Sequence, residues 1–500
     1  MKKQILIITI FIIVQLIPTP RDCTFIIENC ICQWQQDIRL TNAPDTSRTS
    51  FCSDWCIATS GNTVHIVWID KRDGNTEIYY KHSTNEGITW DSDVRLTNDP
   101  GNSMYPSIAV AGSLVHVAWN DRRINNQNDI YYKRSTDGGV TWGNDTRLTF
   151  DTNSSAYPSI AASGNFVCLT FSDNRNNGKM EIYYMNSSNS GDTWQPENRL
   201  TYSQMISQFS CISLSGQNIG LAWHDRRDGT GEIYFKRSTD RGVTWGADTR
   251  LSFDTAMSTW PSIVVNGTIV HVAWYDMRDG NYEIYYKRST DLGIAWETET
   301  RLTNDPAYST YPTLAVSGLN VHLVWYDSRD GNTEIYYKFS SNGGIGWGTD
   351  TRLTNDAGTS LYPFIAVSNS ILHVIWTDNR DGNPEIYYKR NPTGNVGIRN
   401  ISSEMPDKYE LFQNYPNPFN SMTNVKWQML NAGNAKIIVF DILGKEVATL
   451  VNEELNPGIY EVRFDATDLP GGIYFYRLKI ENPQGRTENF IDTKKLILLK

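Results

Sequence analysis

The strongest constraint on this chain is an octapeptide that returns at a nearly fixed interval. Ser135 to Trp142 reads STDGGVTW, and companions begin at Ser83 (STNEGITW), Ser187 (SSNSGDTW), Ser238 (STDRGVTW), Ser289 (STDLGIAW) and Ser340 (SSNGGIGW). Self-similarity at roughly fifty residues marks a chain built from repeated supersecondary units, none able to bury its apolar face alone. Each octapeptide reads as a tight turn. Its Asp or Asn can bond backbone amides just ahead, and the Gly two places on can take positive φ. The Trp is expected to fold back over its own hairpin.

A full copy from Tyr311 divides into four strand-like pieces: Thr313 to Val316, Val321 to Tyr326, Glu334 to Lys338, and Trp347 to Leu353. The second piece is apolar on both faces, which suits a sheet covered on both sides. Its terminal D-x-R recurs seven times, at Asp70, Asp121, Asp173, Asp225, Asp276, Asp327 and Asp378, whereas the octapeptide occurs six times. The fourth strand lacking from the last copy has a counterpart at the other end, where Trp34 to Leu40 reads WQQDIRL. A ring closed by that strand predicts an all-β chain: a seven-bladed β-propeller over residues 33–392. A linker over 393–408 then leads to a small β-sandwich of roughly ninety residues over 409–500, with alternating runs such as Lys436 to Phe440 and Gly472 to Leu478.

Lys2 and Lys3 precede an apolar run too short to span a bilayer comfortably, so residues 1–22 are expected to be a secretion signal. No transmembrane segment is expected once it is removed. Of seven cysteines, Cys23, Cys30, Cys32, Cys52 and Cys56 crowd the start, and disulfides are their plainest reading in an exported protein. A formal charge of −10 argues against nucleic acid as a partner.

The octapeptides resemble the Asp-box, or BNR repeat, of sialidases and related secreted propellers. The tail resembles the type A C-terminal sorting domain of the type IX secretion system, through YPNPFN at Tyr415, FDILGKEV at Phe440, GGIYFYRL at Gly471 and the Lys-rich terminal strand. The second resemblance implies a Bacteroidetes-like bacterium, type IX machinery as a partner, and a secreted or outer-membrane-surface location. The first implies that the octapeptides are scaffold and that function lies on the opposite rim. There the loops after each second strand meet those leading into each first strand.

That rim would gather the seven Asp named above with Arg72, Arg123, Arg175, Arg227, Arg278, Arg329 and Arg380 around one mouth. Guanidinium forks there suit sugar hydroxyls or carboxylates, which points to extracellular carbohydrate or surface protein as ligand. The alternative is that each Asp pairs with its own Arg and caps its own turn; identical repetition favours it. A site should break the symmetry, as His224 and Trp260 do, together with Phe171 and the loop Gln204 to Phe209. His65, His116, His271, His322 and His373 are expected in the core. An exo-acting glycoside hydrolase and a non-catalytic adhesin remain as alternatives, although the F/Y-R-I-P-like motif of sialidases is lacking and their six blades differ from seven. No cofactor is expected; the D-G-N segments suggest a structural calcium only weakly.

Overall fold

The computed structural model describes residues 34–50, 56–368, 370–392, 399–402, 406–420, 422–431, 433–455, 457–466, 469–481 and 490–499. The expected signal, and Cys23, Cys30, Cys32 and Cys52, lie outside them. Regular structure among the described residues is entirely β-strand.

Seven antiparallel sheets form the propeller. The sixth is representative: Ser309–Ser317, Asn320–Asp327, Glu334–Ser340 and Thr351–Arg352 lie side by side in chain order. In the first blade two short pieces, Ser47–Arg48 and Ile57–Ser60, share the innermost place beside Thr63–Asp70. In the seventh, Ile38–Arg39 supplies the outer strand, with Ile38 opposite Tyr388 and Arg39 opposite Tyr387. Asp37 reinforces that junction by taking Arg380 and Lys389 at 2.8 and 2.9 Å. Innermost strands pack against innermost strands all the way round, and Ile57–Ser60 touches both Ser103–Ala111 and Ser360–Ser368. The circle is closed, and these strands surround its axis.

The second strands carry the core. Trp68, Trp119, Trp223, Trp274, Trp325 and Trp376 are wholly buried on them. The outer strands are shorter than the sequence suggested: Thr351–Arg352 pairs, but Trp347 does not extend it. Short outer strands leave little edge for another chain to pair with. The octapeptide Trp is also used differently from expectation. Instead of covering its own hairpin, it packs edge-on against an aromatic ring of the preceding blade: Trp142 on Tyr80 at 4.8 Å, Trp347 on Tyr286 at 5.0 Å. The last blade's missing Trp is supplied by Trp34, which sits 5.2 Å from Tyr337. The octapeptide Gly is needed for the same contact. Gly139 has φ +93, and a Cβ on it would fall 1.8 Å from the Tyr80 hydroxyl.

Cys56 does not fit the disulfide expectation. It is a buried thiol whose sulfur accepts from Ser50 N–H and donates toward Pro106 O.

The C-terminal unit is a sandwich of two four-stranded sheets. One orders Arg399–Ser402, Gly458–Asp465, Met422–Met429 and Glu410–Leu411; the other orders Glu446–Leu455, Gly433–Phe440, Gly472–Glu481 and Phe490–Leu498. Val425, Trp427 and Val462 from the first share one core with Ile437, Val439, Tyr476 and Leu478 from the second. Part of the expected linker is therefore strand, since residues 399–402 pair within this unit. The YPNPFN segment is tied to the last strand through Phe419 N–H to Ile497 O (2.9 Å) and Ile497 N–H to Asn417 Oδ1 (2.9 Å).

Candidate functional site

The face opposite the octapeptides is built from the loops after each second strand and those entering each first strand. The D-G-N asparagine joins the two sets. Asn75 Nδ2 donates to Glu77 Oε1, Asp99 O and Gly101 O at 2.7–3.0 Å, and Asn281 and Asn332 do the same in their blades. A side-chain amide thus replaces the missing backbone pairing between loops.

The seven Asp–Arg pairs lie beneath this face and are consumed by the blades. Asp70 accepts from Arg72 Nε, Nη2 and backbone N–H, from Trp68 Nε1 and from Ser47 Oγ, at 2.6–2.9 Å. Asp121, Asp173, Asp225, Asp276, Asp327 and Asp378 are buried in equivalent cages. Burial alone would raise these carboxyls. Bonds from Arg and the other donors outweigh it and hold Asp70, Asp121, Asp225, Asp276, Asp327 and Asp378 below the usual range. Each Arg is spent as well. Its third nitrogen takes an outer-strand acid, as in Arg72–Asp93 (2.7 Å) and Arg329–Asp350 (2.8 Å). Its plane lies 4.1–4.6 Å over a third-strand Tyr in every blade. No lone pair of these Asp remains for a ligand, and Arg72, Arg123, Arg175, Arg278, Arg329 and Arg380 hold the loops in place. Arg227 is the most exposed of the seven guanidiniums, at 27%. Ser203 stands there where other entry loops carry Asp99, Asp254 or Asp305.

His224 is not at the mouth. It is buried, its Nδ1–H donates to Ser258 O of the next blade at 3.0 Å, and burial lowers its pKa to about 4. Asn120 and Thr377 hold the same place and do the same work, accepting from Tyr157 N–H and Thr49 N–H. The symmetry breaking at this position is a choice of inter-blade tether.

Trp260 belongs to a feature the repeats conceal. Tyr105, Tyr157, Phe209, Trp260, Tyr311 and Tyr362 occupy one position on six successive innermost strands, and their ring centroids follow one another at 5.1, 5.0, 3.7, 5.5 and 5.1 Å. They form a half-buried aromatic collar around the axis at the loop end. Every one has φ between 52° and 59°, a left-handed conformation rare for aromatic residues. The cause is a bulge: Tyr105 and Pro106 together span the step between Met104, opposite Asn120, and Ser107, opposite Ala118. Pro, which has no N–H to pair, fits that extra position. The recurrent Tyr-Pro was the available signal; the backbone twist that presents the ring was not legible in it.

Fold and face together define a seven-bladed β-propeller joined to a separate sandwich. Residues 413–494 match the family model described as the secretion system C-terminal sorting domain, which marks a secreted or cell-surface protein and implies the type IX machinery. No curated protein matches it. Among solved structures, an ulvan lyase, a polysaccharide lyase, is similar at 12% identity and TM-score 0.51, covering 69% of this chain and 94% of that one. A mutant Trypanosoma rangeli sialidase with trans-sialidase activity is similar at 10% identity and TM-score 0.42, covering 92% and 88%. A Dyadobacter fermentans protein of unknown function is similar at 13% and 0.45, covering 59% and 95%. The lyase likeness establishes the β-propeller fold.

Proposed function

We propose that this protein binds an extracellular glycan at its loop face, with the aromatic collar as the platform on which sugar rings stack. The collar carries the reading. Six rings are each held at positive φ, at a cost of about 1–3 kcal/mol apiece, and such strain concentrates where a structure presents a ligand surface. Half-exposed aromatics beside convergent polar loops are the usual composition of a ligand-binding mouth.

The buried carboxylates of the repeats are not available for acid–base chemistry, and the reading taken is therefore binding. Acid–base chemistry on a glycosidic bond needs a pair of carboxyl groups facing the substrate. The seven Asp are caged, and Glu77, Glu181, Glu232, Glu283, Glu334 and Glu385 are buried against Arg95, Arg199, Arg250, Arg301, Arg352 and Arg39 at 2.5–2.9 Å. The test is a glycan array with the mature chain, followed by Tyr157→Ala and Trp260→Ala. Binding is expected, weakened at least tenfold by either change while the melting transition persists. A chain that binds no glycan, or binds equally well without these rings, refutes the reading. Release of reducing or unsaturated ends from the bound glycan would replace it with an enzymatic one.

A further inference from the structure

The loop face is not symmetric. At the residue that follows the outer strand's Leu-Thr or Leu-Ser, four entry loops carry Asn42, Asn98, Asn304 and Asn355. Three consecutive loops, after blades two, three and four, carry Phe150, Tyr202 and Phe253 instead, exposed to 73%, 70% and 68%. Each ring has one face backed by a guanidinium of its own blade: Arg147 over Phe150 at 5.1 Å, Arg199 over Tyr202 at 4.6 Å, Arg250 over Phe253 at 5.1 Å. Those guanidiniums are themselves fixed by Asp129, Glu181 and Glu232 at 2.5–2.9 Å. The rings are therefore oriented platforms, each held by a guanidinium and largely exposed, repeated at one per blade along the rim; Phe253 has Lys287 Nζ over its ring as well, at 5.5 Å.

The same three blades hold cations that no carboxylate neutralises. Arg122 donates Nε to Asn128 Oδ1 at 2.9 Å, Lys179 donates to Gln204 O, and Arg226 Nε lies 3.4 Å from His224 Nε2. None of the three is in an ion pair among the described residues. At the place of Arg122 and Arg226, blade one has Lys71, and blades three, five, six and seven have the uncharged Asn174, Met277, Ser328 and Asn379. Blades two and three also lack the loop acid that Asp73, Asp228, Asp279, Asp330 and Asp381 provide to the others; the chain reads Arg123-Ile124 and Arg175-Asn176 there. Two of the three platform blades thus lack this acid, and each of the three carries a cation outside any ion pair among the described residues.

We infer that this arc binds an extended anionic polysaccharide, its pyranose rings stacking on Phe150, Tyr202 and Phe253 and its carboxylate or sulfate groups meeting Arg122, Lys179 and Arg226. The inference rests on the glycan-binding reading above and specifies its ligand class and a second contact zone away from the axis. A cation facing a polyanion in partly excluded solvent contributes both attraction and salt dependence.

Affinity electrophoresis and titration calorimetry of the mature chain with polygalacturonate, dextran sulfate and neutral dextran decide it. Two triple variants accompany the wild type, Phe150→Ala/Tyr202→Ala/Phe253→Ala and Arg122→Gln/Lys179→Gln/Arg226→Gln. The three rings and Lys179 are exposed and Arg122 and Arg226 are half-buried, so melting temperatures are measured to check that folding is intact. The expected result is binding to at least one polyanion, weakened tenfold or more by each triple variant and by raising salt from about 50 to about 300 mM. Binding to neutral dextran alone overturns the anionic inference and leaves glycan binding standing. Polyanion binding untouched by either variant overturns the placement of the site. If none of the three polymers binds and the glycan array is also blank, the underlying reading falls with it.

Discussion

Burial of a histidine is tolerated when the ring stays neutral, and six of the chain's seven imidazoles are held that way. His65, His116, His271, His322 and His373 each place Nδ1 within 2.6–2.9 Å of a third-strand Tyr hydroxyl, and His224 bonds Ser258 O. Burial lowers their pKa values to about 3 or 4. The repeats show the pairing by its exceptions. Where blade four has Gly220 in place of His, the partner is Phe235, which has no hydroxyl to satisfy; where blade three has Cys168, Tyr184 turns its hydroxyl to Arg241 O. Because the folded pKa values are depressed, the unfolded chain binds protons below about pH 6.5 that the folded chain refuses. Stability is therefore fully present above that pH and is lost as pH falls toward 4, by up to about 1.4 kcal/mol per unit for each ring. The depressed Asp carboxyls act only lower, below about pH 4. Urea midpoints at pH 7.5, 6.5 and 5.5 should fall steadily. His116→Cys, which copies blade three, should make the slope shallower by about one proton; an unchanged slope would show that these rings do not drive it.

At the scale of the strand and turn, the octapeptide couples one blade to the one before it. Ser135 Oγ accepts from Gly139 N–H at 2.8 Å and Asp137 Oδ1 from Thr141 N–H at 2.8 Å, which folds the turn so that the Gly lies against Tyr80 and the Trp can cover it. Gly139→Ala adds a methyl inside that contact at an unfavourable φ. A loss of about 3 kcal/mol is expected, measured by denaturant unfolding, whereas the same change at Gly138, which has open space around it, should cost only about 1 kcal/mol. Equal losses at both positions would contradict the inter-blade role. Much of this level was legible from repetition: the D-x-R count gave the number of sheets, and Trp34 gave the closing strand. What stayed hidden depends on contacts between repeats. The sequence of the octapeptide does not say which hairpin its Trp covers. Repetition already favoured pairing of each Asp with its own Arg, but the Trp68 indole and the Asp93 carboxylate that complete such a cage were not legible, and Phe150, Tyr202 and Phe253 read as loop variation until their exposure is known.

At the scale of the whole molecule, everything turns on two residues of ladder. Deleting residues 34–41 removes the outer strand of the seventh blade, the Asp37 bridges, the Trp34 contact with Tyr337 and the Leu40 carbonyl that Lys81 Nζ holds at 2.6 Å. The apparent Tm is expected to drop by on the order of 10 °C, with self-association through the bared edge visible in gel filtration. A monomer with unchanged Tm would mean that the ring does not depend on its latch. The sandwich should melt as before, since its core is assembled from its own strands.

The latch has a consequence in time as well as in space. The segment around Ile38 is the first of the propeller to be synthesised, and its partner around Tyr388 is the last. Six blades can be complete while the molecule is still an open arc. The circle seals only when the final repeat arrives, so a chain interrupted anywhere before it is left permanently unfinished.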